Sequence, residues 1–250
     1  MDSPMIKFSE DVTNEFHYAC VNSELDKVHK LLAKKEVIDV KQLEEKGTLF
    51  ISVKEGHEKV VNVLLQIGVN ANNKPGLLTY SIIKWAISLK GNFAIVKSLL
   101  KHGADVHHQN LLKETPLHFA CMIGCLEITK ELLKHNPDVN AVCEDDNGLK
   151  TPLMLASESG SLDVMEELVM HGADIDFKDA NLGTALHLAT QCEGENVENI
   201  KTLLKYGCNT NARAKLSAEG VELPMCTDFE LALKMKSIVI VKTIVFHEIM

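Results

Sequence analysis

Residues 115–120 read Thr-Pro-Leu-His-Phe-Ala, and residues 138–141, which close the same unit, read Asp-Val-Asn-Ala. The opening element recurs at 151–156 as Thr-Pro-Leu-Met-Leu-Ala and at 184–189 as Thr-Ala-Leu-His-Leu-Ala. A pair of apolar residues, here Leu132 and Leu133, recurs through the chain at steps of 33, 35, 33, 36 and 35 residues. A period of this length predicts a stack of small modules that bury their apolar faces against one another.

Seven units can be laid in register within one domain. Their approximate limits are 11–43, 44–76, 77–109, 110–143, 144–178, 179–212 and 213–250. The opening element is worn in the first three units, at 16–19, 47–50 and 81–86. The seventh unit is degenerate and follows an insertion near Lys215–Pro224. The terminal units are therefore expected to depart most from the repeat.

The residue types within each unit predict two helices. Thr or Ser precedes each apolar run, as at a helix N-cap, and Pro116 and Pro152 fall at the first helical position, where a missing N–H costs nothing. Gly124 and Gly160 are expected to end the first helix of their units. Spacing of i, i+3, i+4 among Leu162, Met165, Leu168 and Val169 predicts the second helix. Other predicted features are small alanines where first helices meet (Ala120, Ala156, Ala189) and left-handed C-caps at Gly103 and Gly172.

The motif and its period make the chain resemble the ankyrin repeat family over nearly its whole length. The resemblance implies an all-α solenoid in which each repeat adds a helix–turn–helix and a short β-hairpin. It also implies a non-catalytic module that binds a partner protein through a concave face. Within that family the histidine of the motif, here His17, His118 and His187, bonds locally and ties the turn to the helix.

The amino-acid composition indicates which classes of partner and which cellular compartment suit this protein. The 250 residues are 46% hydrophobic, enough for a continuous core, and carry a net charge of −9, which argues against nucleic acid. Residues 1–10 hold no signal-peptide-like apolar stretch, and 237–250 is too short to span a bilayer. The seven cysteines include no Cys-x-x-Cys pair, which favours reduced thiols. We expect a cytoplasmic protein, with the nucleus, or a host cell for a secreted effector, as alternatives.

The histidine and cysteine residues that could bind a metal have structural explanations at their repeat positions. His118, Cys121 and Cys125 are spaced so that they could share a helical face and hold zinc, but His118 and Cys121 fill ordinary family positions, and Cys125 follows the glycine that ends the helix. No phosphate-binding loop, zinc-protease or nucleophile-elbow motif is present in the sequence. We therefore predict no metal, no cofactor and no enzyme; the remote enzyme alternative would need a deep polar pocket.

Departures from the repeat suggest where a partner binds. Positions that border the groove in this family are apolar in the third and fourth units: Leu77, Leu78, Tyr80, Leu89, Leu111, Leu112, Met122 and Ile123. The corresponding positions of the second and fifth units are mostly polar: Glu44, Lys46, Lys54, Glu55, Asn147, Lys150, Glu158 and Ser159. An exposed apolar cluster predicts a contact surface. The alternative is local repacking, in which 74–80 folds its leucines back between the repeats.

The C-terminal helix is a second departure, because it is apolar nearly all round, with Val239 and Phe246 at positions that are Asp163 and Met170 in the fifth unit. A partner, self-association or further chain could cover it, or it is a degenerate cap. An adaptor, for example one recruiting substrates to a ubiquitin ligase, needs such a second surface. A masking protein like the inhibitor of kappa-B proteins needs only the groove.

A hairpin asparagine is a further expectation from the resemblance. Asn140, with Leu132 eight residues earlier, matches the pattern that an asparaginyl hydroxylase modifies in some family members. Asn72 and Asn211 match in spacing. A structural role in closing the hairpin explains the same residues.

Overall fold

A computed structural model describes residues 10–34, 38–73, 81–88, 92–145, 148–191, 197–214, 217–218, 221–222, 227 and 244–245. The chain divides into two compact units, unit 1 at Met1–His108 and unit 2 at Gln109–Met250. Within each unit the helices come in pairs, and corresponding helices of successive pairs lie side by side. The all-α repeat architecture implied by the resemblance is confirmed.

The described part of unit 1 contains three helix pairs and one additional short helix, the third in chain order. Its helices are α1 (Glu10–Val21), α2 (Leu25–Ala33), α3 (Val40–Glu45), α4 (Thr48–Lys54), α5 (Glu58–Gln66), α6 (Ile82–Ser88) and α7 (Phe93–Lys101). The first helices α1, α4 and α6 pack in series, and the second helices follow as α2, α5 and α7. This arrangement buries Leu64 and Leu99, the first residues of two closing apolar pairs, completely.

Unit 2 repeats the same plan. Its helices are α8 (Pro116–Met122), α9 (Leu126–Leu133), α10 (Pro152–Glu158), α11 (Leu162–Met170), α12 (Ala185–Gln191) and α13 (Val197–Lys205). Helix α10 packs between α8 and α12, and α11 between α9 and α13. The predicted small residues Ala120, Ala156 and Ala189 are fully buried where these helices meet.

The predicted helix boundaries at proline and glycine are confirmed. Pro116 and Pro152 are the first residues of α8 and α10, each preceded by an extended threonine. Gly124 follows α8 with φ 68°, a left-handed conformation that favours glycine, and an added Cβ would lie 2.0 Å from the Ser161 hydroxyl, which would have to move. Gly103 and Gly172 adopt the predicted left-handed conformation.

Strand pairing is more limited in the described residues than one hairpin per repeat. Strand β1 (Cys143–Asp145) pairs antiparallel with β2 (Gly148–Lys150), and β3 (Ser217–Ala218) with β4 (Val221–Glu222). At 110–114 and 179–183 a turn closes the chain instead, with an N–H donated from Asn110 to the Glu114 carbonyl and from Asp179 to that of Gly183. The extra residues in the 36-residue step give the 143–150 segment room for strands.

No helix in the described parts of the chain is long and apolar enough to cross a bilayer.

Candidate functional site

Three segments of unit 2 precede α8, α10 and α12, and we call them the tips: the turn at 110–114, the paired strands 143–145 and 148–150, and the turn at 179–183. The N–H of Glu144 donates to the carbonyl of Leu112 at 2.8 Å, and the Lys113 ammonium lies 2.6 Å from the Glu144 carboxylate. A Cβ added at Gly148 would lie 3.2 Å from the Ala180 methyl. The first tip therefore contacts the second, and the second lies close to the third, which gives one continuous surface.

Side-chain acceptors hold the first and third tips in shape. Asn110 Oδ1 accepts the N–H groups of Leu112 (3.0 Å) and Glu114 (2.8 Å). Asp179 Oδ1 does the same for Asn181 (2.8 Å) and Gly183 (2.7 Å). Because these turns satisfy their own backbone groups, the apolar side chains that they carry are not needed to close them.

Large apolar side chains project from the tips and from the end of α8. The exposed fractions are 81% for Leu111, 46% for Leu112, 43% for Met122, 46% for Ile123, 36% for Leu149 and 39% for Leu182. We call Leu111, Leu112, Leu149 and Leu182 the tip leucines. Leu111 and Leu112 are not folded back into the core, as local repacking would require at their tip. Leu77, Leu78, Tyr80 and Leu89 lie outside the described residues.

Leu182 occupies a backbone conformation that costs stability. Its φ of 63° lies in the left-handed region, where a leucine Cβ crowds the following carbonyl and glycine does not. The same position in the first tip is Lys113, with φ 59°. A leucine that is both strained and exposed is not explained by local stability, which points to a role in contact with another molecule.

The sequence reasoning missed Leu149 and Leu182. Both lie two residues before the threonine that opens a unit, Thr151 and Thr184, so alignment on the tips would have found them. The fifth unit was expected to be mostly polar at its groove positions, including Lys150.

Lys150 is polar as expected, but its side chain is buried and does not face solvent, with only 2% exposed. Its ammonium lies 2.5 Å from Glu158 Oε1, and the carboxylate is 35% exposed. Placing a lysine here is tolerable because its charge meets an opposite charge inside the fold. The contact also joins β2 to the last residue of α10, so the tips and the ends of the first helices border the same face.

His118 is used structurally. The Thr115 N–H donates to Nδ1 at 3.1 Å, and Nε2 lies 3.3 Å from the Lys150 carbonyl in the next repeat. Burial lowers the pKa of His118 to about 4, against partial compensation from the backbone carbonyls of Lys150 and Ala141 and from the Asp138 charge. The resemblance implied that this histidine ties the turn to the helix. The geometry of His118 agrees, since both of its ring nitrogens have hydrogen-bond partners.

Cys121, three residues after His118, is a poor metal ligand in this setting. Burial raises the pKa of the Cys121 thiol, which is fully enclosed, and this disfavours the thiolate that binds metal. Across the described ranges, no group of three His, Cys, Asp or Glu side chains is arranged to hold a metal ion. The titratable groups at this site therefore fit a structural role.

Asn140, three residues before β1, bridges two repeats. Its Nδ2 donates to the Gly172 carbonyl at 3.1 Å, and its Oδ1 accepts the Asp174 N–H at 2.8 Å. Asn72 makes the equivalent pair of bonds to Gly103 and Asp105 in unit 1. The exposed side chain of Asn140 is thus engaged through both of its polar atoms, and its hydroxylation stays a prediction.

We expect Asn140→Ala to lower the free energy of unfolding by about 1–2 kcal/mol, because two bonds between repeats are lost. Asn140→Asp keeps the acceptor and loses the donor, so its effect should be intermediate. Urea denaturation followed by circular dichroism measures both. Equal stability of all three proteins would show that water replaces these exposed bonds.

The apolar C-terminal helix is described at two residues. Ile244 is fully buried and Val245 is partly buried. Val239 and Phe246, the residues proposed for a terminal contact, lie outside the described residues.

Comparison with known proteins identifies the repeat. A family model for ankyrin repeats, in three copies, matches residues 83–179 and 150–214, which together cover just over half of the chain. Protein phosphatase 1 regulatory subunit 27 from Homo sapiens is 40% identical over 57 residues, and the mouse protein matches equally. Rabankyrin-5 from Mus musculus is 34% identical over 82 residues. The matches span 23% and 33% of this chain, and 37% and 7% of those relatives, respectively.

Proposed function

Because the chain belongs to the ankyrin repeat family, we propose that it is a non-catalytic module that holds a partner protein against the tips and first-helix ends of unit 2. The main observation behind this proposal is the set of exposed apolar side chains on neighbouring tips: the tip leucines, together with Met122 and Ile123 at the end of α8. Proteins seldom expose such a cluster unless another molecule covers it.

The energy available from this surface suits a binding role. Burial of apolar surface stabilises a complex by about 25 cal/mol per Å², and a micromolar complex needs about 8 kcal/mol. Six large side chains, each partly exposed, supply a substantial part of that figure. The tips need little reordering on binding, because Asn110 and Asp179 already fix two of them.

Among the modes open to such a module, we favour regulation of the partner by masking. One relative is named a regulatory subunit of a phosphatase, which supports a role in which binding itself alters the partner. The adaptor mode, including recruitment to a ubiquitin ligase, rests on a second surface at Val239 and Phe246. Cys20, Cys121 and Cys125 are present as thiols, which suits a reducing compartment, and we propose the cytoplasm or nucleus.

The test is quantitative affinity capture from cell lysate with three forms of the full chain. We expect Leu111→Glu/Leu112→Glu to lose the specific partners of the wild type, because two charges would be buried against the partner. Met170→Glu is the matched control, since Met170 is 68% exposed on α11, a second helix.

Circular dichroism should first show that all three proteins are folded, as expected for exposed positions. An unchanged partner list for the double variant would place the binding site elsewhere. Loss of the same partners with Met170→Glu would make the effect non-specific.

A further inference from the structure

Negative charge is concentrated in one part of the chain. Residues 109–200 contain 17 of the 35 acidic residues but only 5 of the 26 basic ones. Residues 1–108 contain 13 acidic and 14 basic residues and are almost neutral. The segment that builds the tips therefore carries an excess of negative charge larger than the net −9 of the whole chain.

The few basic residues of this segment are mostly neutralised by neighbours. Four of the five lie in ion pairs: Lys113 with Glu144, Lys130 with Glu167, Lys134 with Glu131, and Lys150 with Glu158. Lys150 is also buried, so it presents no charge to solvent. The field outside this segment is accordingly negative, and it is strongest for a ligand that approaches within a Debye length, about 8 Å at physiological salt.

Acidic residues stand among the tip leucines themselves. Glu114 follows Leu112 and Lys113 in the first tip, and Glu144 and Asp145 belong to β1 of the second. Glu158 ends α10 on the same face. An apolar surface bordered by carboxylates selects a partner that offers apolar side chains and cations together, and it repels an acidic one.

We propose that the partner segment held by the tip leucines is a basic, apolar stretch of polypeptide, with Leu-like side chains against the leucines and Lys or Arg near Glu114 and Glu144. These two carboxylates outnumber Lys113, the cation that pairs with Glu144, so this part of the surface keeps a net negative charge. This inference rests on the proposed function and adds the chemistry of the partner. Binding should then combine two separable contributions: an apolar one that is insensitive to salt and an electrostatic one that weakens as salt rises.

Two synthetic peptides test the proposal. They share one spacing of leucines and carry either lysine or glutamate at the intervening positions, and fluorescence anisotropy measures their binding to the full chain at low and high salt. We expect the lysine peptide to bind at least about tenfold more tightly at low salt, with the advantage falling as salt rises.

Two pairs of variants separate the contributions. Glu114→Gln/Glu144→Gln keeps the size of the side chains and removes their charge, and we expect it to weaken binding of the lysine peptide about three- to tenfold. Glu127→Gln/Asp163→Asn makes the same charge change at exposed positions on α9 and α11 and should have a smaller effect. Leu111→Ser/Leu149→Ser should weaken binding at both salt concentrations, and Met170→Ser should not.

Each failure has a distinct signature. Equal binding of both peptides, lost on Leu111→Ser/Leu149→Ser, would overturn the charge inference and leave the proposed binding face intact. If binding is salt-sensitive but is unchanged by Leu111→Ser/Leu149→Ser, the peptide does not bind at the tips and the proposed binding face is wrong. Dimers in analytical ultracentrifugation that become monomers with Leu111→Ser/Leu149→Ser would show a second copy of this chain on the face, which also overturns the inference.

Discussion

Replacing Glu158 with leucine is expected to lower the free energy of unfolding by about 2–3 kcal/mol, one of the two largest effects that the structure predicts. The substitution removes the carboxylate 2.5 Å from the ammonium of Lys150, which is 98% enclosed, and leaves that charge in a medium that solvates it poorly. The effect should fall below that of a fully buried pair, because the carboxylate is one third exposed. Urea denaturation at neutral pH measures it.

The double variant Lys150→Met/Glu158→Leu tests whether the unpaired Lys150 charge causes the loss of stability. Removing both charges restores an apolar pair of similar volume, so most of the lost stability should return. Glu127→Leu serves as a matched control at an exposed glutamate on α9. If Glu158→Leu and Glu127→Leu shift the urea midpoint equally, the Lys150 ammonium reaches water in the folded protein and the burial argument is wrong.

Acidification is expected to destabilise the fold through His118. Burial lowers the pKa of this imidazole from 6.5 to about 4, so the folded state holds it neutral while the unfolded state takes up a proton. The stability that depends on neutral His118 is therefore fully present above pH 6.5 and is lost progressively as the pH falls towards 4. At about 1.4 kcal/mol per pH unit, the loss amounts to about 3 kcal/mol.

His118→Gln isolates this contribution from the carboxylates, which also titrate. The variant should be less stable at neutral pH, because the contacts to Thr115 and to the Lys150 carbonyl are altered. Between pH 6.5 and 4 its stability should fall less than that of the wild type. Urea midpoints across that range give the difference curve, and parallel curves for the two proteins would refute the assignment.

Much of the fold could be predicted because the same helix-boundary residues and the same apolar spacing recur in several repeats. Pro116, Pro152, Gly124 and Gly172 begin and end helices through constraints on φ that act within a few residues. The leucine pairs mark the buried side of the second helices through spacing alone. Such rules need no knowledge of distant parts of the chain, so the helix pairs were found in order.

Four of the predicted contact residues, Leu111, Leu112, Met122 and Ile123, are exposed, because apolar residues at groove positions can be recognised once the register is known. That they bind a partner stays a prediction. Leu149 and Leu182 were missed because their exposure depends on how each tip turns. Lys150 was assigned to the groove although the fold buries it, because a sequence pattern does not show whether an opposite charge lies within reach.

By itself the sequence determined the helices, their period and the excess of acidic residues, because local dihedral preferences, apolar spacing and composition are properties of short segments. Tertiary structure alone decided that the tips stack through Leu112, Glu144 and Gly148, that Glu158 reaches Lys150, and that Asn140 bridges to Gly172. These contacts join residues 8 to 32 positions apart, and they form only when one repeat packs on the next.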